Sequence, residues 1–131
     1  MKPAAGDTIA RRLYAALDGR DATAVAAVLD DASVLHLAGA SGLAGDYQGG
    51  EAIIGLLRRM AELTGGSLRY GAARPVADAR GRAVLMGRTS AIRRDRRLDT
   101  DVTIAVTVGG GVVREAWVFC LDQAACDGFW A

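Results

Sequence analysis

Apolar residues in the first part of the chain recur at helical spacing. The first such set lies on one face of a 3.6-residue period: Ile9, Leu13, Ala16 and Leu17. This pattern predicts a helix that Asp7 caps and Gly19 ends. Asp21 is the expected cap of a second helix. Its buried positions are Val25, Val28 and Leu29. Because the link is short, the two helices should form a hairpin.

The pattern then changes to one short strand, a loop and a third helix. Ser33–Leu37 has apolar residues on both faces, which predicts a strand covered on both sides. Residues 38–50 contain five glycines and Tyr47, and they predict a loop. The third helix begins near Glu51 and ends at the glycine pair 65–66. Its apolar positions are Ile53, Leu56, Leu57, Met60 and Leu63.

Beyond the third helix, β-type segments separated by turn residues predict four longer strands. They are Ser67–Ala77, Ala83–Ile92, Leu98–Val108 and Val112–Leu121. Pro75 places the first of them at a sheet edge or at a bulge, because proline cannot donate to a strand ladder. The tail from Asp122 to Ala131 predicts a short helix.

This order of elements predicts an α+β fold in a single domain covering residues 1–131. A curved, mostly antiparallel sheet wrapped around the third helix would form a cone that is open at one end. Such a cone is a suitable pocket for a small molecule.

Composition and charge limit the possible partners. Hydrophobic residues make up 51% of the chain and charged residues 24%, which is ordinary for a globular protein. The net charge of +1 argues against nucleic acid or an acidic membrane as a partner. No apolar run is long enough to span a bilayer, and residues 1–7 lack the apolar core of a signal peptide. We therefore expect a cytoplasmic protein whose Cys120 and Cys126 stay reduced; a disulfide between them is the alternative.

The sequence predicts neither a metal nor another cofactor. It holds one histidine, and its Cys, His and carboxylate residues lack the spacing of metal ligands. Gly109–Gly111 lies in a predicted hairpin with no helix after it, so it does not match a phosphate loop.

Several short segments, taken in order, carry a resemblance to a known superfamily. Residues 30–34 (Asp-Asp-Ala-Ser-Val) precede the glycine loop, and residues 50–53 (Gly-Glu-Ala-Ile) open the third helix. Residues 111–117 and 122–130 follow near the end. In this order they resemble the NTF2-like superfamily, and within it the SnoaL-like polyketide cyclases and the ketosteroid isomerases. The resemblance implies an NTF2-like cone, but little about the substrate, because this fold hosts several enzyme classes and non-catalytic modules.

His36, the only histidine, lies near the end of the first strand. In ketosteroid isomerases a general-base aspartate occupies the matching place, so the resemblance implies a proton-transfer role for His36. Histidine suits such a role because its pKa lies close to working pH. The alternative is a partly buried histidine that only fixes the neighbouring loop.

The strand Leu98–Val108 has one apolar face and one more polar face. The apolar face consists of Val102, Ile104, Val106 and Val108. Asp101 and Thr103 share the other face, which could line the cavity or face solvent. The resemblance matches Thr103 to the aspartic acid that donates a hydrogen bond to the oxyanion in ketosteroid isomerases. Inside an apolar cavity the pKa of Asp101 would rise and suit acid–base work; in solvent it would not.

The tyrosine donor on the first helix of ketosteroid isomerases matches Leu13, with Tyr14 one position away. Both oxyanion donors of that enzyme are thus altered. We therefore do not expect steroid isomerisation by that mechanism.

The last strand also alternates. The resemblance turns Ala116, Val118 and Cys120 toward the pocket and Trp117 and Phe119 toward the outer sheet face. On that outer face Trp117 would pack at a homodimer interface. A slip of one residue would reverse the two sets and bring Trp117 into the pocket.

The leading hypothesis is a cofactor-independent, SnoaL-like enzyme. It would act on a hydrophobic cyclic or polyketide-type metabolite by proton transfer, in a cyclisation, isomerisation or dehydration. His36 would be the base or acid, and Asp101 and Thr103 would be its polar counterparts. A closed apolar cavity with His36 and Asp101 both inside would favour proton transfer, whereas a filled cone with both groups outside would favour binding or association. The candidate substrate-binding residues are Tyr14, Met60, Thr103, Cys120 and Trp117. One alternative is a non-catalytic module that binds a small ligand or a protein, and another is an epoxide-hydrolase-like enzyme that uses Asp101 with Arg88.

Overall fold

Four helices lie in the part of the chain that the computed structural model describes, residues 5–78 and 80–131. They are α1 (Ala5–Asp18), α2 (Ala22–Ala26), α3 (Gly50–Leu63) and α4 (Gln123–Trp130). α1 begins before Asp7, so this residue lies in the first turn and does not precede the helix as predicted. Asp21 does cap α2, because its carboxylate accepts a hydrogen bond from the Ala24 amide at 3.0 Å. None of these described helices is long and apolar enough to cross a membrane.

The strands form one mostly antiparallel sheet. They are β1 (Val34–Leu37), β2 (Gly45–Gln48), β3 (Arg69–Ala77), β4 (Arg82–Arg93), β5 (Arg96–Gly109) and β6 (Val112–Cys120). Their order across the sheet is β2-β1-β6-β5-β4-β3, and β1 runs parallel to β6. β3 is an edge strand, and its register with β4 shifts between Ala72 and Pro75, as the proline predicts. The predicted α+β fold is confirmed. Of the turn predicted at residues 78–81, Ala79 lies outside the described residues.

β2 corrects the expectation of a loop at residues 38–50. Its residues Gly45–Gln48 show no apolar alternation, and only Tyr47 among them is partly buried. The strand forms because β1 offers it an edge, with Leu35 opposite Tyr47 and His36 opposite Asp46. Pairing with a neighbour, rather than local sequence preference, therefore makes this strand.

The inner face of the sheet and the helices enclose the core. Leu85, Val106 and Val113 are almost fully buried on β4, β5 and β6, and burying each such side chain stabilises the fold by roughly 1.5–3 kcal/mol. Ser33 is as deeply buried, but its hydroxyl donates to the Val113 carbonyl at 2.6 Å and accepts from the Asp30 amide at 3.0 Å. These bonds tie the start of β1 to β6.

A disulfide joins Cys120, the last residue of β6, to Cys126 in α4. This bond corrects the expectation that both cysteines stay reduced. The first turn of α4, capped by Asp122, folds back over the strand end and brings the two Cα atoms within 6.7 Å. Because disulfides persist mainly in oxidising compartments, the expected cytoplasmic location loses the support it drew from reduced thiols.

Two arginines of the β4–β5 hairpin hold the other end of α4. Arg93 donates to the carbonyl of Phe129 at 3.1 Å, and Arg96 donates to that of Gly128 at 3.2 Å. Both also donate to the Ala131 carbonyl oxygen. Positive charge at a helix C-terminus satisfies free carbonyls and complements the helix dipole. The arginine-rich hairpin tip thus keeps α4 against the end of the cone.

Candidate functional site

An apolar cavity of about 170 Å³ lies between the inner sheet face and the helices. Residues from all four helices line it, together with residues of β1, β3, β4, β5 and β6. Representative lining residues are Leu13, Val25, Leu35, Leu56, Val102 and Ala116. Among the described residues that line it there is no Asp, Glu, His, Lys or Arg. The cavity therefore offers hydrophobic contact and few polar groups.

Tyr70 supplies the most unusual polar group of the cavity wall. Its hydroxyl is buried and has no hydrogen-bond partner among the described residues. The phenol lies over Gly87, where a Cβ atom would come within 2.9 Å of the hydroxyl oxygen and 2.6 Å of the Gly71 carbonyl oxygen. Burial, and secondarily the nearby Tyr14, raise the pKa of Tyr70 to about 12. The hydroxyl is thus a protonated donor at neutral pH.

Thr89 lies opposite Tyr70 on β4 and also lines the cavity. Its hydroxyl donates to the Arg69 carbonyl at 3.1 Å, so its proton is already used. Sequence reasoning missed both residues. The sequence placed both residues in predicted β strands, and this was the one available signal. It does not show that a tyrosine hydroxyl lacks a hydrogen-bond partner.

His36 projects from the opposite, outer face of the sheet. Leu35 and Leu37 line the cavity beside their β6 partners Ala116 and Val118, whereas His36 does not line it. Val34, at the start of β1, also contributes to the cavity wall. The imidazole stacks on Trp117, the residue opposite it on β6, with ring centroids 5.6 Å apart. His36 therefore does not meet the condition that would favour proton transfer, which is a place inside the cavity.

Two carboxylates hold the His36 ring. Its Nδ1 lies 2.6 Å from Oδ1 of Asp46, and its Nε2 lies 2.5 Å from Oε2 of Glu115. Both nitrogens can donate only when the ring is protonated. The hydrogen bond to Asp46, followed by that to Glu115, raises the pKa of His36 above its usual 6.5, against a smaller effect of burial. The His36 ring thus links β2, β1 and β6 through its two carboxylate partners, which fits the alternative in which His36 fixes the neighbouring segment.

Three solved structures share this architecture along nearly their full length. Bal32a, from a soil-derived mobile gene cassette, is 29% identical and superposes with a TM-score of 0.91 over 97% of both chains. An NTF2-like protein from Burkholderia xenovorans is 20% identical, with a TM-score of 0.77 over 97% of this chain and 96% of that one. A candidate SnoaL-like polyketide cyclase from Shewanella denitrificans is 12% identical, with a TM-score of 0.67 over 93% and 95%.

The chain has the NTF2-like fold. The resemblance drawn from the sequence is confirmed at the level of the fold. No protein-family model and no curated protein matches the sequence. Identities as low as those of the NTF2-like protein and the candidate cyclase carry the fold and no activity.

Within this NTF2-like cone, Asp101 and Thr103 lie outside the cavity. Val102 and Ile104 are buried and line it, so their neighbours on β5 face outward. The Asp101 carboxylate is more than half exposed and accepts a hydrogen bond from Arg88 at 3.1 Å. The requirement that His36 and Asp101 share a closed apolar cavity is therefore not met.

The remaining candidates divide between the two sides of the cone. Met60 and Cys120 line the cavity, the latter as half of the disulfide. Tyr14 packs against the core beside Tyr70 but does not line the cavity, where Leu13 takes the inward place. Trp117 lies on the outer face with His36, so the slip that would bring it into the pocket does not occur.

Proton NMR should report on His36 directly, because the chain has no other histidine. We expect its titration midpoint to lie above 6.5. Asp46→Asn and Glu115→Gln should each lower that midpoint, because each removes a charged acceptor from one ring nitrogen. A midpoint at or below that of a model peptide would contradict the two contacts.

The same pKa shift makes the stability of the fold depend on pH. A raised folded-state pKa contributes stability that is complete below the unfolded-state pKa and disappears as pH rises through the folded-state value. The free energy of unfolding should therefore fall through this window in the wild-type protein, and this fall should be absent from His36→Gln. If the free energy of unfolding changed equally with pH in the two proteins, the pKa shift of His36 would not be the cause.

Proposed function

We propose that this protein binds a small, mostly apolar molecule that carries one hydrogen-bond acceptor. The observation that carries the proposal is the apolar cavity, whose wall includes Tyr70, a residue with a buried and unpartnered hydroxyl. A concave, preformed apolar space with few polar groups is the usual form of a small-molecule site.

The apolar wall contributes to the affinity for a ligand but does not fix the orientation of the ligand. Each methylene group transferred from water into such a cavity contributes roughly 0.8 kcal/mol. Side chains from the helices and the sheet surround the space, so an occupant would be covered on several sides. Aliphatic contacts alone distinguish ligands poorly, because they recognise size and shape only.

A hydrogen bond from the Tyr70 hydroxyl would fix the orientation of the ligand. A buried donor without a partner costs about 1–3 kcal/mol in the empty protein. A ligand carbonyl, ether or hydroxyl oxygen placed against it would remove that cost. The site should therefore prefer an oxygen-bearing ligand over a hydrocarbon of equal shape.

The proton-transfer hypothesis receives less support from the same geometry. A general base must come within hydrogen-bond reach of the proton it removes. His36 and Asp101 lie across the sheet from the cavity, and Tyr70 keeps its proton at neutral pH. An epoxide-hydrolase-like reaction meets the same difficulty, since Arg88 pairs with Asp99 and Asp101 on the outer face. We therefore prefer the binding module to the enzyme.

The outer sheet face is our proposed homodimer interface. Met86 and Phe119 are 54% and 48% exposed and flank Thr103 in one row of the sheet. Trp117 lies on β6 two residues before Phe119 and so shares its face. Aromatic residues and methionine are enriched at protein interfaces. A second copy of the chain would cover these side chains.

A cavity-filling substitution tests the binding site. Ala116 is buried in the cavity wall, and Ala116→Leu should weaken binding of the neutral fluorophore N-phenyl-naphthylamine at least tenfold. Ala52→Leu, which adds the same volume on the exposed side of α3, should bind as the wild type does. If Ala116→Leu fails to fold, Val118→Phe at the same wall replaces it. Unchanged binding in folded cavity-filling variants would exclude this site.

Removal of the Tyr70 hydroxyl tests the polar anchor. Tyr70→Phe should raise the free energy of unfolding by about 1 kcal/mol, because it removes a buried group without a partner. It should also abolish a preference of up to about tenfold for acetonaphthone over ethylnaphthalene. Thermal melts and competition against the fluorophore measure the two effects. A preference that survives in Tyr70→Phe would exclude the hydroxyl as the anchor.

A charge on the outer face tests the homodimer. Phe119→Glu should shift the sedimentation coefficient to that of a monomer, because it would place a carboxylate in the proposed contact. Thr23→Glu on α2, at an exposed helical position, should leave the dimer intact. A monomeric wild-type protein at micromolar concentration would contradict the interface.

A further inference from the structure

A second hollow of about 390 Å³ adjoins the cavity, between the α1–α2 turn and α3. We call it the helix hollow. Residues that line both spaces form their common wall: Leu17, Val25, Leu57, Leu68 and Tyr70. Tyr70, whose hydroxyl is buried and unpartnered, thus belongs to the boundary between an apolar cavity and a more open space.

The helix hollow differs from the cavity in charge. Arg20, Asp21 and Arg58 line it, whereas no charged residue in the described part of the chain lines the cavity. The Asp21 carboxylate already accepts the Ala24 amide hydrogen bond as the cap of α2. The Arg20 guanidinium donates to the Gly66 carbonyl at 2.6 Å, a neutral acceptor that leaves its charge uncompensated. The hollow therefore carries an excess of one positive charge.

Arg20 occupies a backbone position that normally favours glycine. Its φ of 53° lies in the left-handed region, and it ends α1 where the Arg20 amide donates to the Leu17 carbonyl and the Asp21 amide to the Ala16 carbonyl. Glycine takes this position without steric cost, and a glycine stands next to it at residue 19. Strained backbone at an open site is a reason to ask what the side chain does.

From these observations we propose that the ligand is a small amphipathic carboxylate. Its apolar body would occupy the cavity and its carboxylate would lie in the helix hollow against Arg20 and Arg58. An exchange of the Gly66 carbonyl for a carboxylate would give the Arg20 guanidinium a charged partner, which makes a stronger hydrogen bond. The inference rests on the proposed binding function and names the ligand class of that site.

A matched pair of ligands separates the two proposals. Decanoate and decanol share the same chain and differ in the charge of the head group. Each is measured by displacement of N-phenyl-naphthylamine from the full-length protein. The wild type should bind decanoate more tightly than decanol, and added salt should reduce the difference, because the head group is near solvent.

Arg20→Gly and Arg58→Gln should each weaken decanoate binding about two- to fivefold, the range expected for an exposed ion pair, and leave decanol binding unchanged. Arg20→Gly should unfold at a temperature no lower than that of the wild type, because glycine takes this left-handed position without steric cost. Weaker decanoate binding in this variant would then not result from loss of the fold. Arg59→Gln is the matched control, because Arg59 is next to Arg58 on α3 but pairs with Glu62 outside the hollow.

The outcomes distinguish the two failures. Equal affinities for decanoate and decanol in the wild type would overturn the carboxylate class and leave the binding function in place. An equal loss of both ligands in Arg20→Gly would also overturn it, because the arginine would then act on the fold alone. If neither ligand nor the fluorophore binds, the binding function fails and the carboxylate class fails with it.

Discussion

A strand that packs one face against helices turns its other face outward, and in this sheet that alternation decides where chemistry is possible. Val102 and Ile104 of β5 are buried toward α1 and the cavity, so Asp101 and Thr103 must face away. The same rule on β1 sends His36 outward. Polar groups that could move protons are thus separated from the enclosed space by the sheet itself. What stays inside is hydrophobic contact and the Tyr70 hydroxyl.

On the outer face of the sheet, polar side chains of neighbouring strands contact one another. His36 joins Asp46 of β2 and Glu115 of β6, and it stacks on Trp117. β2 has no apolar alternation of its own, so cross-strand contacts of this kind contribute more to its place in the sheet than burial does. Ion pairs at a surface edge stabilise modestly, and a histidine among them makes that contribution depend on pH, as expected of a group that holds neighbouring strands together.

Much of the fold could be predicted because the spacing of apolar residues distinguishes helices from strands. The four long strands, α3 and the edge position of β3 at Pro75 follow from that pattern. The orientation of His36 could not be predicted in the same way, because Val34 places an apolar residue on its side of the strand as well. The disulfide between Cys120 and Cys126 could not, because it depends on how α4 folds back over β6. β2 depends in the same way on an edge that only the folded sheet supplies.

Tyr70 and Arg20, which both line the helix hollow, each break a local rule of protein structure, and Arg94 at the β4–β5 turn shares the left-handed backbone of Arg20. Tyr70 buries a donor without a partner, at about 1–3 kcal/mol, and Arg20 holds a left-handed backbone at roughly 1–2 kcal/mol. A net stability of about 5–15 kcal/mol makes such costs substantial. Phenylalanine and glycine would relieve these costs at the two positions, although glycine would also remove the hydrogen bond from Arg20 to the Gly66 carbonyl. Features that lower stability and lie together beside a cavity are expected where a ligand, not the fold, uses the side chain. The hydroxyl and the guanidinium therefore argue for an occupant with both an oxygen acceptor and a negative charge.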